Sequence, residues 1–314
     1  MSTLIFPPIA AEQVHDEEAQ VLARELSWLL TCLQTTLRSL KSGLEECASL
    51  LAPAEPGSTL PLSSLRSEHL KGFITRVGTR IVKGDIHLRL PSLPPPKGAG
   101  SVKLSISTLP TAPTLTLPQL AQCRTLINSC LDVVDATLWT GDKENADFVS
   151  GQLQLLHENI QEAKDALKGW TKGQRAWNEE EVDVQAFNPP LPEHVSFHLS
   201  ISEAAILLNI RVLEAATSTA GASASGAAAS YSGLSLRDRL ATAFGGAKPA
   251  LNDEANEVFP WRGHDVRVRE KVRVESQDPS LMAAMAKLGA LERSIALERR
   301  ALDVVMGRDG DGME

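Results

Sequence analysis

The residues able to do chemistry are few, and their spacing does not complete a site. His157-Glu158-Asn159-Ile160-Gln161 opens like the helix of a zinc hydrolase, where two imidazoles one turn apart hold the metal and the glutamate is the base. Gln161 stands where the second imidazole is needed, so a zinc site cannot close. Gly98-Ala99-Gly100 lacks the third glycine and the Lys-Ser/Thr of a phosphate cradle and lies between strand patterns. Gly221-Ala222-Ser223-Ala224-Ser225 lacks the closing glycine of a nucleophile elbow. His194 and His198 share a strand face, but no cysteine or carboxylate pattern joins them, so they read as a solvated face. Glu179-Glu180-Glu181 reads as a solvated charge run. Cys32, Cys47, Cys123 and Cys130 form no C-x-x-C pair and read as small buried apolar side chains in a reducing compartment. No catalytic residue, metal ligand or cofactor is therefore expected, and a metal-dependent hydrolase is a distant reading.

Composition narrows the class further. The 314 residues are 43% hydrophobic and 22% charged, enough apolar material for a large core and too much for global disorder. With 31 Lys and Arg against 39 Asp and Glu the net charge is −8, which leaves no basic surplus for a nucleic-acid backbone. No apolar run approaches the ~18 residues that span a bilayer. Met1 to Pro8 carries no basic region and leads into acidic residues, unlike a secretory signal, so the expectation is a soluble intracellular chain.

The elements that would position any site are clearer than the site. Leu26, Leu29, Leu33, Leu37, Leu40, Leu44, Cys47 and Leu51 recur every three or four residues, one long helix that Pro53 to Ser58 ends. Between His69 and Thr108 the period falls to two, with Gly72, Gly78 and Gly84 punctuating two or three antiparallel strands. The prolines from Pro91 to Pro96 suit a loop between strands, the alternative being a polyproline ligand. Pro118 opens a helix along Leu120, Cys123, Ile127, Leu131 and Val134, and a third helix runs from Leu153 to Trp170. Val195 to Ile201 alternates as a strand, and Ala205 to Leu213 fits a returning strand or a helix, with a hairpin at Ser202-Glu203-Ala204 favoured. Residues 215–250 are rich in Ala, Ser and Gly and read as a flexible loop. Val266 to Val274 is strand, in one piece or two, and Asp278-Pro279-Ser280 starts a last helix that Gly307 stops.

The implied fold class is α+β. An antiparallel four-helix bundle (12–52, 116–172 and 278–307) would hold both termini. The two strand groups (68–110 and 184–276) would combine into a separate antiparallel β-sheet domain, giving an elongated body.

Glu25-Leu26-Ser27-Trp28-Leu29-Leu30 with the heptad-like leucines resembles the Rogdi leucine-zipper-containing family. The similarity continues in Lys71-Gly72-Phe73, in Gly84 to Pro91, in Leu191-Pro192 with Val195 to Leu213, and in Val268 to Val274. The Ala/Ser/Gly tract departs from the family pattern as a loop expansion. In fungi that family supplies the smaller accessory subunit of the RAVE complex. The resemblance implies a helical bundle with a β-sheet domain and a non-enzymatic, cytoplasmic assembly factor for the vacuolar-type proton ATPase. It would be recruited peripherally to vacuolar or endosomal membranes without inserting, as a monomer within a hetero-complex. The implied partners are a large WD-repeat scaffold, a Skp-type adaptor and V-ATPase subunits.

The runner-up is a generic adaptor that homodimerises through the leucine helix. That stripe spans at most about four heptads, and partner helices exist in the same chain. Intramolecular burial avoids the ~4–15 kcal/mol cost of association. Partner contacts are expected from the aromatic and leucine residues that interrupt a polar stretch, namely Leu236, Leu240, Phe244, Phe259 and Trp261. The competing expectation is that they cover the sheet's own edge or face.

Overall fold

A computed structural model of the chain describes residues 13–64, 69–140, 142–169, 176–216 and 252–308. It is an α+β protein with antiparallel sheets. Helix α1 (Val14–Leu50) is 37 residues long, about 55 Å at the helical rise. Helix α2 (Pro118–Asp135) begins with its proline in the first turn and widens into a π turn at Ala136–Thr140. Helix α3 (Ala146–Lys168) is capped by Asn145 Oδ1, which accepts the Phe148 N–H at 3.1 Å, and is closed by Gly169 at φ +96°. Helix α4 (Pro279–Val305) is capped by Asp278.

Each helix buries its leucine stripe against two others. Helix α1 packs on α4 and α2, and α3 packs on α2 and α4. Contacts between side chains give the directions. Thr36 meets Glu298 at 3.0 Å while Glu46 meets Lys287, so α4 runs back along α1. Lys164 meets Glu292 while Asp147 meets Arg308, so α4 also opposes α3. Gly43 permits the close approach of α4, because a Cβ there would stand 2.7 Å from Leu291 Cδ2.

The first sheet is β1 (Ser58–Ser63), β2 (Leu70–Val77), β3 (Arg80–Leu88) and β4 (Val102–Ser105) in that order, with β5 (Leu115–Thr116) also on β3. The second contains β6 (Val195–Ser202), β7 (Ala205–Ala215), β8 (Val258–Trp261) and β9 (His264–Gln277), in the order β6-β7-β9-β8. The ambiguous stretch after Ser202 is thus a strand. Glu203 and Ala204, at φ 48° and 59°, make the hairpin turn with positive φ at both central residues, which suits the strand twist. β9 is one continuous strand of 14 residues.

Three expectations change. The two strand groups do not merge into one sheet, because β9 already has a ladder neighbour on each side. β1 meets it instead through a side chain, Ser276 Oγ donating to Pro61 O at 2.6 Å. Strands β1, β5 and β8 were not expected, and Leu60 and Leu62 of β1 are buried at period two. Gly72 and Gly84 lie inside strands rather than between them; a Cβ on Gly72 would fall 2.1 Å from Asp85 O.

The proline-rich stretch docks on its own chain. Leu90 and Leu93 are buried, and the Ser92 N–H donates to Glu270 Oε2 at 3.1 Å. Buried residues of all four helices and both sheets form one continuous cluster.

Candidate interaction surface

The outer face of the second sheet gathers aromatic and charged side chains that the chain holds far apart in sequence. Antiparallel register sets Ser196 beside Arg211, and His198 beside Asn209, opposite the apolar face of Phe197, Ile201, Ile210 and Val212. A bulge between Val212 and Leu213 re-aims the far end, where Val266 and Val268 become buried. Trp177 lies over this end, 4.9 Å from Phe259 and 5.7 Å from Trp261 between ring centroids. The Arg211 guanidinium sits 4.4 Å above Trp177 and donates to both Glu254 oxygens, at 2.6 and 2.8 Å. Lys271 donates to Glu254 at 2.7 Å and to Asp253 at 2.9 Å. Burial pushes the Glu254 carboxyl up, but hydrogen bonds from Arg211 and Lys271 outweigh it and hold the group below its ordinary range. The Lys271 hydrogen bond lowers Asp253 likewise.

The expected partner anchors therefore have different settings. Trp261 is buried in this cluster and Phe259 is packed against it. Leu236, Leu240 and Phe244 lie outside the described residues, as does Gly221 to Ser225. The glutamate run is not simply solvated, since Glu181 pairs with Arg262 and Glu180 Oε2 lies 3.4 Å from His198 Nε2. That approach misses hydrogen-bond geometry, and both His198 ring nitrogens are buried without a hydrogen-bond partner, as are Arg211 Nη1 and Trp261 Nε1. His194 is exposed and precedes β6, and among the described residues no group of three His, Cys, Asp or Glu is placed to hold a metal.

The thiols are similarly committed to packing. Burial pushes Cys47 up to about 11, and Cys123 and Cys130 up to about 12, so none is a ready thiolate. Cys32 is partly exposed, and all four are free.

A second surface was missed by sequence reasoning. The leucine stripe is buried from Leu29 onward, but every residue from Gln13 to Glu25 is exposed, so the first three turns of α1 overhang the body. Val14, Val21 and Trp28 follow at seven-residue intervals on one side, with Trp28 68% exposed. That spacing was a legible signal for an uncovered side. The other side forms a groove of about 460 Å³ lined by Ala23, Leu26, Leu30 and Gln34 with Lys143 and Glu144 from the turn before α3. A smaller hollow of about 230 Å³ between Arg38, Lys41, Leu138 and Lys143 adjoins it. Neither amide atom of Gln34 has a hydrogen-bond partner.

No helix among the described residues is long and apolar enough to cross a membrane. No curated protein sequence matches the chain at a significant level. A family model does match it, across residues 25–303, from the middle of α1 almost to the end of α4. Its description names the feature that α1 displays, a leucine repeat, and the match takes in both sheets as well as all four helices. The chain belongs to the Rogdi leucine zipper containing protein family.

Proposed function

We propose that this chain is a non-enzymatic subunit of a complex of the RAVE type, which promotes assembly and reassembly of the vacuolar-type proton ATPase through protein–protein contacts. The observation that carries the reading is the family match over residues 25–303, since that family points to a non-catalytic role in protein interaction. The four helices act as one antiparallel bundle that braces the sheets. The partners are a large WD-repeat scaffold, a Skp-type adaptor and subunits of the pump, met in the cytoplasm and at the surface of vacuolar or endosomal membranes. The runner-up, a homodimer zipped through α1, is disfavoured because Leu33, Leu37 and Leu44 are 0% exposed within the single chain.

The test is affinity purification of the tagged full-length chain from its own cells, followed by quantitative mass spectrometry. A WD-repeat scaffold, a Skp-type adaptor and soluble-sector pump subunits are expected at near-stoichiometric amounts. Recovery of none of them would overturn the assignment.

A further inference from the structure

We propose that the outer face of the first sheet is the docking site for an acidic, extended segment of another protein, one that carries two groups of carboxylates about four residues apart with an apolar residue between them. The inference goes beyond the proposed complex and does not depend on its identity.

The face follows from strand alternation. Leu70, Ile74, Ile86, Leu88 and Leu104 turn into the core, so their neighbours in the chain turn out. Register sets the outward side chains in rows across the strands. His69 stands beside Arg89, whose N–H donates to His69 O at 2.8 Å. Lys71, His87 and Lys103 form the next row, on β2, β3 and β4. Phe73 and Asp85 share the row after it, then Thr75 and Lys83, with Arg80 beyond the bulge. The face thus carries Lys71, Arg80, Lys83, Arg89 and Lys103 against the single carboxylate of Asp85, in a chain whose net charge is −8.

The five cations are all exposed, and among the described residues Lys71, Arg80, Lys83 and Arg89 have no ion pair. Lys103 already holds Asp85 at 2.9 Å, and His87 Nε2 lies 3.7 Å from the same carboxyl group. The one acid on the face is therefore neutralised. The surplus gathers at two ends, Lys71, Arg89 and Lys103 at one and Arg80 and Lys83 at the other. Four residues of β3, about 13 Å, separate His87 from Lys83. Half-buried Phe73 lies between the two ends. An extended chain laid along β2 and β3 repeats that spacing, which sets one acidic group over each end and an apolar side chain over Phe73.

Charge alone would also attract a lipid surface or a nucleic acid, and three observations favour carboxylates on a peptide. Among the described residues Phe73 is the one aromatic ring on the face, whereas base-stacking sheets use two or three. Three of the five cations are lysines, point charges that suit carboxylates, whereas phosphate is clasped by the two-pronged guanidinium of arginine. The patch is only about 15 Å across its four strands. A bilayer or a long nucleic acid overruns it and meets the acidic surplus of the rest of the chain.

The probe is a short synthetic peptide with two Glu-Asp pairs at that spacing and a leucine midway between them. One control replaces every carboxylate by its amide, and a second replaces the leucine by serine. Binding to the full-length chain is read by fluorescence anisotropy at low salt. The acidic peptide is expected to bind about tenfold tighter than the amide peptide, a margin that shrinks as salt is raised. It should bind about threefold tighter than the serine peptide. Lys71→Glu with Lys83→Glu should weaken it about tenfold. The same reversal at Lys143 and Arg267, exposed and away from the face, should change it by less than about twofold, with circular dichroism unchanged in both variants. Equal affinity for the acidic and amide peptides, or indifference to the Lys71 and Lys83 reversal, would overturn the proposal. So would binding to phosphatidylcholine–phosphatidylserine vesicles or to single-stranded oligouridine that this reversal abolishes and the acidic peptide cannot displace, which assigns the face to lipid or nucleic acid. Peptide binding seen only after residues 309–314 are removed would overturn it too, assigning the face to the chain's own acidic end.

Discussion

At the residue scale the most consequential pair is Arg76 and Asp278, buried at 3% and 0% exposure and separated by 202 positions. Arg76 donates from Nε to Asp278 Oδ2 and from Nη1 to Gly78 O, both at 2.6 Å. The other carboxylate oxygen accepts the Ser280 N–H at 2.9 Å and so caps α4. One side chain thus fixes a helix start to a strand of the first sheet. Asp278→Asn keeps the cap acceptor but strips the guanidinium of its counter-charge. It should cost about 3–5 kcal/mol in urea unfolding, and a loss below about 1 kcal/mol would show that the cap alone matters. The cap was legible in Asp278-Pro279-Ser280; its partner was not, because nothing local ties Arg76 to it. The thiols give a second expectation. The pKa values of Cys47, Cys123 and Cys130 in the folded chain lie above the ordinary 9.0, so above that pH the unfolded chain loses protons that the folded one keeps. Stability is therefore full below about pH 9 and falls as pH rises toward the folded values of 11 to 12. Near pH 8 a chromogenic disulfide reagent should label Cys32 quickly and the other three only with unfolding; fast labelling of all four would contradict their burial.

At the element scale, α1 shows how far periodicity carries. Its leucine row marked the helix and the buried side, and Leu29 through Leu51 now lie against other helices of the same chain. Periodicity also found β2, β3, β4, β6 and β9, but it passed over β1, whose two leucines flank Pro61 directly after a helix stop, and the short strands β5 and β8. It left β7 undecided, since a continuous apolar run suits a strand buried on both faces as well as a helix. The strand character comes from pairing on both edges, with β6 and with β9. The aromatic cluster was half legible: Phe259 and Trp261 stood out by type, while Trp177, which covers them, lies far away in the chain. Trp261→Ala should remove about 3–5 kcal/mol of local packing. Hydrogen exchange should then speed at Val258–Trp261 while α2 and α3 keep their protection. Unchanged exchange along β8 would show that the cluster does not hold the hairpin.

At the scale of the whole molecule, the leucine repeat that names the family serves the fold of one chain. Four helices and two sheets share one apolar interior, and the repeat from Leu29 onward lies within it. Family membership was legible through the order of elements that carries the resemblance. No short motif conveys a docking surface, because such surfaces are set by which faces the fold leaves uncovered. The zipper of α1 is closed within the single chain. That closure is tested most directly by sedimentation equilibrium and thermal circular dichroism on the wild type and on the Leu33→Asp, Leu40→Asp double variant. The wild type should sediment as a monomer, and the variant should lose helicity and cooperative melting, since each carboxylate would be buried without a counter-charge. A wild-type dimer that the substitutions convert into a well-folded monomer would show instead that the repeat zips two chains together.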